Sequence, residues 1–438
     1  MQAIGCVVIA RRWVEDSQMS SVPAVAGTTA RNAEDRDPAR QTPAAATHRN
    51  PALDYLRAFL VLLVLAHHSA LAYMPFAPPP PTSLLRQPRW WQAFAVVDSH
   101  RWIGFAAFVG FNDVFFMSLM FFVSGLFVWN SIRRKGGATF VGDRMLRLGI
   151  PFLAAAAIVA PVAYYPSYVM TGRGPGLAGF WHEWLSLGTW PAGPAWFIWV
   201  LLVFDLIAVP IVNRHPKWLD AIGSDSGVAR ERPLRFFSLL VGLSALAYIP
   251  MLILFGPNYW FVVGPFSFQG ARILHYAIYF IAGVAVGAYG IERGLLASDG
   301  VLARRWGLWM VAAIIAFTGI AIFTLKVPAL IASGTSTIVL SLVGGSLFAI
   351  SCGASSFAFL GLFLKVVRRR SAIFDSLSDN EYGMYLIHYM FVSWLQFALL
   401  TSALPAVAKG LLVFAAVLAL SWMSVAALRR VPMVRRAI

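Results

Sequence analysis

Charged residues are scarce in this sequence of 438 residues, where they make up only 12% of the total. A typical soluble domain carries about 25% charged residues. Hydrophobic residues instead account for 59% of the chain, and its mean hydropathy is +0.70. These values exclude an ordinary soluble protein and favour one that crosses a lipid bilayer.

Cysteine is almost absent as well. The sequence holds two cysteines, Cys6 near its start and Cys352 within an apolar run. Two cysteines in such positions build neither a disulfide framework nor a zinc site. We therefore expect no metal site and no cysteine chemistry.

Acidic residues are also few, since the chain has 19 Asp and Glu against 35 Lys and Arg, for a formal net charge of +16. In a soluble protein this surplus would suggest a nucleic-acid partner. Here the basic residues lie in short loops between apolar segments, where membrane orientation explains them better. We expect no nucleic-acid partner.

The sequence is rich in apolar segments of about 20 residues, the length that crosses the hydrocarbon core of a bilayer as a helix. Ten such segments lie at residues 53–74, 108–131, 148–170, 195–213, 236–255, 271–290, 307–325, 338–364, 382–400 and 408–427. They predict an all-α polytopic integral membrane protein with about ten transmembrane helices. Basic residues number 21 on one predicted side and six on the other. This asymmetry predicts that both termini are cytoplasmic.

The two ends of the chain differ from its middle. Residues 1–49 are rich in Ala, Thr, Pro, Asp and Arg and show no apolar face, which predicts a disordered N-terminal tail. No cleaved signal peptide is expected, because the short apolar patch there is followed by Arg11 and Arg12 instead of being preceded by basic residues. Residues 50–428 are the predicted membrane domain, and residues 429–438 a basic cytoplasmic tail.

Tryptophan is concentrated in two predicted outer loops. The residues concerned are Trp90, Trp91 and Trp102 in the first loop and Trp181, Trp184 and Trp190 in the second. They are typical of an interfacial aromatic belt. The alternative is a stacking surface for a sugar ring.

Ionisable residues inside apolar segments are costly and are therefore functional candidates. The first segment contains Arg57, His67 and His68. Eleven residues separate Arg57 from His68, which on a helix is about three turns and about 16 Å, so the two share one face while His67 points about 80° away. That spacing suits an elongated ligand such as an acyl-CoA, whose phosphates would bind Arg57 and whose reactive end would reach the imidazole of His68. The structural alternative is a histidine bonded between helices and an arginine that reaches the interface.

A second basic cluster precedes the third segment. Arg144 and Arg147 are spaced so that they project together from one helical turn. Two guanidinium groups there would clamp a diphosphate. Alternatively, they are charges that only orient the membrane protein.

Other buried polar residues have weaker patterns. Asp113 lies a few residues into the second segment, where it could orient an imidazole or accept a hydroxyl hydrogen bond. We favour pairing between helices for Asp205, Arg272 and His275.

Several of these residues stand in motifs that resemble the membrane acyltransferase family 3. The matching runs are ALDYLR from Ala52 to Arg57 with His68 after ten more residues, FFMSLMFFVSGLF from Phe115 to Phe127, RMLR from Arg144 to Arg147, AWFIWVLL from Ala195 to Leu202 and YGMYLIH from Tyr382 to His388. Within that family the chain resembles the glucan-succinylating branch, which is similar in the run from Asn112 to Phe116 and has no fused extracytoplasmic domain.

The resemblance implies a membrane-bound O-acyltransferase of the bacterial inner membrane. His68 would be the catalytic histidine, with Asp113 beside it, while Arg57, Arg144, Arg147 and His388 would contact substrate. The implied co-substrate is acetyl-CoA or succinyl-CoA and the implied acceptor is a hydroxyl of an extracytoplasmic glycan. No permanently bound cofactor and no metal are implied, and the oligomeric state stays open. His68 would act as a general base or carry the acyl group.

The residues alone leave another class of function open. Buried His, Asp and Arg also occur in secondary transporters, which relay protons or bind anions. A transporter or flippase of an anionic or glycan substrate is therefore the alternative to an acyltransferase.

Overall fold

A computed structural model describes residues 50–77, 83–84, 93–172, 174, 176–214, 224 and 226–438. The predicted tail of residues 1–49 lies outside the described residues, as do Trp90 and Trp91 of the first outer loop. The remaining elements follow in chain order.

The described residues are almost entirely helical. The helices are α1 Pro51–Leu71, α2 Ile103–Gly125, α3 Val128–Lys135, α4 Gly137–Arg144, α5 Ile150–Ala154, α6 Ala160–Val169, α7 Leu177–Ser186, α8 Trp196–Arg214, α9 Pro233–Phe255, α10 Ile273–Tyr289, α11 Val301–Arg304, α12 Trp306–Ala332, α13 Thr337–Val366, α14 Ala372–Ala398, α15 Ala406–Leu428 and α16 Pro432–Ala437. One antiparallel hairpin, β1 Trp260–Val263 and β2 Phe266–Gln269, lies between α9 and α10.

Eight helical stretches of the described residues are long and apolar enough to cross a membrane. Two of the ten predicted segments are not among them: α10 is apolar but only 17 residues long, and α14 carries charged residues in its first turns. The protein is therefore an all-α integral membrane protein, as predicted. The count of ten crossings and the cytoplasmic position of the termini stay predictions.

The first helix shows why its sequence begins where it does. The side chain of Asn50 accepts a hydrogen bond from the backbone N–H of Ala52 at 3.1 Å, and Pro51 occupies the first helical position. An Asn cap followed by proline is a strong helix start, because the cap satisfies a free donor and proline has none to satisfy. α1 is then enclosed by α2, α13, α14 and α15. Its polar side chains consequently face other helices.

The third predicted segment is not a regular helix. Two π-helical turns, Met145–Gly149 and Ala155–Val159, separate α4, α5 and α6. Prolines at positions 151, 161 and 166 lack the N–H that would bond to a carbonyl one turn earlier. Side chains from elsewhere donate to the freed carbonyls: Tyr382 to Arg147, Trp190 to Ala156 and Trp394 to Val162, at 2.6, 2.8 and 2.9 Å.

Two helices approach each other with almost no space between their backbones. A Cβ atom added to Gly283 of α10 would lie 2.0 Å from the carbonyl oxygen of Phe122, and one added to Gly287 would lie 2.0 Å from that of Leu126. Small residues permit such close contact between membrane helices. α10 therefore packs directly on α2.

The second outer loop contains a helix that the sequence pattern does not predict, α7. Trp184 of this helix is fully buried, and its ring lies 5.9 Å from that of Tyr164 and 5.5 Å from that of Trp190. Trp181 is 40% exposed. Packing of the fold, in addition to the interface, thus explains the tryptophans of this loop.

Candidate functional site

The polar residues of α1 face α14, which runs beside it in the same direction. Four levels of contact join the two helices. They are Tyr55 Oη to Asp375 Oδ1 at 2.8 Å, Arg57 Nε to Glu381 Oε1 at 2.5 Å, His68 Nδ1 to His388 Nε2 at 3.3 Å, and Gln396 Nε2 to the carbonyl oxygen of His68 at 2.9 Å. Arg57 and His68 are thus on the same side of α1, in agreement with their spacing.

The two imidazoles form a directional pair. Nδ1 of His68 lies 2.8 Å from the carbonyl oxygen of Val64, and Nδ1 of His388 lies 2.7 Å from that of Tyr385. Since a carbonyl oxygen only accepts hydrogen bonds, each Nδ1 carries the proton in a neutral ring. Nε2 of His388 is then an acceptor for the His68 Nδ1–H. The lone pair of His68 is left on Nε2.

The rings differ in how accessible they are. His68 is half-buried, whereas His388 is fully buried. Tyr389 packs edge-on against His68, with 5.2 Å between the ring centroids. The more accessible ring is therefore the one with the unprotonated Nε2.

His67 points away from this pair, as its position on the helix predicts. Its ring stacks on Phe116 of α2 with centroids 5.1 Å apart. In the described part of the chain its Nδ1 has no hydrogen-bond partner, and Asp113 and Arg272 lie within its electrostatic reach.

Arg57 is paired, which its sequence context does not reveal. Its guanidinium group forms a salt bridge with Glu381, which is 6% exposed, while Arg57 itself is 32% exposed. Glu381 thus offsets the charge of Arg57, which the sequence pattern predicts to bind a phosphate of acyl-CoA. The only sequence signal for Glu381 is its position one residue before the motif that begins at Tyr382.

Arg144 and Arg147 have different surroundings, and the clamp that their spacing suggests stays a prediction. Arg144 pairs with the buried Asp205 of α8 at 3.0 Å and lies over the ring of Phe140. Arg147 is exposed. The reason is the π-helical turn Met145–Gly149, whose wider turn changes the angle between the two side chains.

Arg147 instead lines an open cavity of about 940 Å³ at the basic end of the helices. The charged residues that line it are Arg147, Asp379, Arg429, Arg430, Arg435 and Arg436. Arg429 donates to the carbonyl oxygen of Asp379 and lies 3.5 Å from Oδ1 of Asn380. The cavity therefore presents five guanidinium groups and one carboxylate.

Asp113 is bound by an arginine, and in the described residues no hydrogen bond joins it to His68. Arg272 donates to its Oδ2 at 2.6 Å and to its carbonyl oxygen at 2.9 Å. The carboxylate side chain is 48% exposed. Asp113 is thus fixed in place and accessible, near His67 and not bonded to the histidine pair.

The pairing between helices that we favoured for the remaining polar residues is observed. Asp205 pairs with Arg144, and Arg272 pairs with Asp113. His275 is fully buried and lies 3.0 Å from Ser118 Oγ and 2.5 Å from Ser244 Oγ.

A further polar cluster lies beyond the other end of α1. Lys409 Nζ lies 2.7 Å from Asp98 Oδ2, and both side chains are at most 1% exposed. His100 Nδ1 lies 3.2 Å from Asp98 Oδ1. Burial and the nearby charge of Asp98 raise the pKa of Tyr73. No sequence signal separates Lys409 from other basic residues that flank apolar segments.

Comparison with known proteins identifies the chain's family. Residues 50–426 match the family model Acyl_transf_3, described as an acyltransferase domain. Neither curated proteins nor solved structures yield a match. The matched range extends from the start of α1 nearly to the end of α15 and contains His68, Arg57, Arg144, Arg147 and His388. The chain therefore belongs to the acyltransferase-3 family and is a membrane-embedded acyltransferase.

Proposed function

We propose that the protein transfers an acetyl or succinyl group from cytoplasmic acyl-CoA to a hydroxyl of an extracytoplasmic glycan. The observation that supports this most is the unprotonated Nε2 of the half-buried residue His68, whose ring faces α14, the helix whose first turns line the basic cavity together with Arg147. Donor and acceptor would meet at this nitrogen from opposite ends of the helix.

In the simplest mechanism His68 is a general base. Its Nε2 takes the proton of the acceptor hydroxyl while the hydroxyl oxygen attacks the thioester carbonyl carbon. The C–S bond breaks, the CoA sulfur takes up that proton, and the new ester stays on the glycan. In the alternative, the same Nε2 attacks the thioester carbonyl carbon, the C–S bond breaks and CoA leaves as its thiolate. The acceptor hydroxyl then attacks the acyl-imidazole carbon, the N–C bond breaks to restore His68, and the hydroxyl proton goes to the CoA sulfur.

His388 contacts the other ring nitrogen of His68, Nδ1. Both of its ring nitrogens contact protein groups, and the ring is fully buried. We therefore assign His388 a positioning role in place of the substrate contact expected from the family resemblance. Together with the carbonyl oxygen of Val64, it holds the proton of His68 on Nδ1 and so keeps Nε2 available.

The donor would be held at the basic end. Arg147 is the exposed member of the RMLR motif and is free to bind a phosphate with its planar donor groups. Arg57 stands further along α1 in its salt bridge with Glu381. The pair gives this part of α1 little net charge, which suits the neutral part of a thioester.

The acceptor side is supported by Asp113. Its half-exposed carboxylate, fixed by Arg272, is an acceptor for sugar hydroxyls. The family resemblance suggests a glucan-type acceptor and the bacterial inner membrane with both termini in the cytoplasm. Lipid bilayer, acyl-CoA and polysaccharide are then the three partners of the protein.

Purified protein in proteoliposomes tests the proposal. Radiolabelled acetyl-CoA or succinyl-CoA is supplied on the side of the basic loops, with glucan oligosaccharide on the other, and ester formation is followed by mass spectrometry. We expect ester with the unaltered protein and none with His68→Ala, which should insert normally. Ester formation by His68→Ala would remove the catalytic assignment, and movement of unmodified oligosaccharide without ester would favour a transporter.

A further inference from the structure

The segment that follows α15 is folded against the membrane domain and does not trail away from it. Val425 and Ile438 pack closely on Gly383 of α14. A Cβ atom added to this glycine would lie 2.6 Å from Val425 Cγ1 and 3.2 Å from Ile438 Cδ1. Ile438 packs against the hydrophobic core at this point. Pro432 begins α16, and Arg429 is anchored to the carbonyl oxygen of Asp379. The arginines of this segment are therefore held over one place in the fold.

That place is the cavity lined by Arg147. Arg429, Arg430, Arg435 and Arg436 reach it from the end of α15 and from α16, so that five arginines from two separate parts of the chain line one space. Arg147, Arg430, Arg435 and Arg436 form no ion pair with any carboxylate of the described residues. The cavity thus has four arginines outside any ion pair of the described ranges against one lining carboxylate, Asp379, so its lining is strongly cationic.

The size and charge of the cavity suit a nucleotide with several phosphates. Its volume of about 940 Å³ lies near the top of the range of about 300–1,000 Å³ for small-molecule sites. CoA ends in an adenosine with a 5′-diphosphate and a 3′-phosphate, and a phosphate monoester carries about 1.5 to 2 negative charges at neutral pH. Arginine binds such groups through two parallel hydrogen bonds.

We propose that α16 and the two arginines that follow α15 recognise the 3′-phosphoadenosine end of acyl-CoA together with Arg147. The inference rests on the proposed function and adds a donor specificity to it. The donor has to be a CoA thioester, because a thioester on a carrier protein has no 3′-phosphoadenosine group. The segment after α15 is then part of the donor site.

The test compares acyl-CoA with its 3′-dephospho analogue. A hydrogen bond to a charged group contributes about 1.5–3 kcal/mol, so we expect KM for the analogue to be about ten- to a hundredfold higher in the unaltered protein. Arg435→Gln with Arg436→Gln should raise KM for acyl-CoA and abolish most of that difference. Arg368→Gln with Arg369→Gln removes the same charge outside the cavity and should preserve the difference.

Direct binding separates this inference from the proposed function and from a lipid site. Calorimetry with 3′-phosphoadenosine 5′-diphosphate, in nanodiscs of phosphatidylcholine alone, should show binding that the Arg435 and Arg436 replacements weaken. Binding without acyl transfer would overturn the proposed function and leave the nucleotide site intact. Equal use of both donors by the unaltered protein would overturn the inference. Binding of phosphatidylglycerol through these arginines, with no binding of the nucleotide, would also overturn the inference.

Discussion

His388 Nε2 lies 3.3 Å from His68 Nδ1, so an imidazole of α14 is a direct neighbour of the imidazole of α1. His388 Nδ1 donates to the carbonyl oxygen of Tyr385, so His388 Nε2 is left to accept from the Nδ1–H of His68, which the carbonyl oxygen of Val64 also accepts. Such a relay orients a base without itself touching the substrate. It makes the reactivity of His68 depend on a residue 320 positions later in the chain.

Replacing His388 should therefore slow the reaction without changing the binding of the donor. His388→Ala removes one of the two acceptors of the His68 Nδ1–H and leaves the carbonyl oxygen of Val64, and misorientation of a catalytic group costs up to about a hundredfold in rate. We expect kcat to fall by about ten- to a hundredfold, KM for acyl-CoA to stay constant, and the pH dependence of kcat to change. His67→Gln, on the neighbouring residue that faces Phe116, is the control. A pH profile unchanged from the original protein would contradict the positioning role.

Loss of one partner of the salt bridge between Arg57 and Glu381 should lower stability more than exchange of both partners. Glu381→Gln leaves Arg57 without its charged partner, which costs about 1–3 kcal/mol and lowers the midpoint of thermal unfolding. The exchange of both residues, Arg57→Glu with Glu381→Arg, should restore part of this loss. Unfolding in detergent of the exchange and of its two component variants, Arg57→Glu and Glu381→Arg, gives the coupling energy of the pair. Additive losses in that cycle would show that the pair is not coupled.

The two arginines of the RMLR motif should behave differently. Arg147→Gln changes an exposed residue of the donor cavity, so we expect KM for acyl-CoA to rise about tenfold with little change in stability. Arg144→Gln leaves the buried Asp205 without its cation and should mainly lower the unfolding temperature. Steady-state kinetics and thermal unfolding on both variants check this. Identical effects of the two changes would favour the clamp predicted from the sequence.

The buried pair of Lys409 and Asp98 should be the most sensitive ion pair of the described residues. Lys409→Met leaves a carboxylate that is 1% exposed without its cation, and an uncompensated buried charge costs about 3–5 kcal/mol. Lys409→Met together with Asp98→Leu removes both charges and should be closer to the original stability. The amount of monodisperse protein and its unfolding temperature are the measurements. A Lys409→Met variant as stable as the original would show that the pair is not needed.

Packing of α10 against α2 should tolerate no side chain at Gly283. Gly283→Ala places a methyl group against the backbone of Phe122, which forces the helices apart and costs about 1–3 kcal/mol or more. Gly242 of α9 has no atom within 4 Å of its added Cβ, so Gly242→Ala should be neutral or slightly stabilising. Thermal unfolding compares the two substitutions. Equal midpoints would contradict the close contact.

The sequence predicts those parts of the site that lie within one helix. The shared side of Arg57 and His68 follows from the helical period alone, and the structure has both residues facing α14. Glu381 and His388 are not predictable as their partners, because the helix that packs on α1 is decided by tertiary contacts. The charged first turns of α14 resemble a loop, so the predicted segment begins ten residues later than the helix.

An irregular turn affects the predicted pair of arginines. The spacing of Arg144 and Arg147 puts both side chains on one face only in a regular α-helix, whereas a π-helical turn spans Met145–Gly149. Asp205, which pairs with Arg144, and the C-terminal arginines, which line the cavity together with Arg147, come from distant parts of the chain. The fold class, in contrast, follows from composition, because a bilayer requires internally bonded backbone.

The freed carbonyls of the α4 to α6 stretch constrain how the protein can open. Tyr382 and Trp394, twelve residues or about 18 Å apart along α14, bond to Arg147 and Val162. Two hydrogen bonds so far apart hinder rotation of α14 relative to the α4 to α6 stretch. If an acyl chain enters between helices, we expect α14 and the α4 to α6 stretch to move together as one unit. The helices that separate would then be others that surround α1.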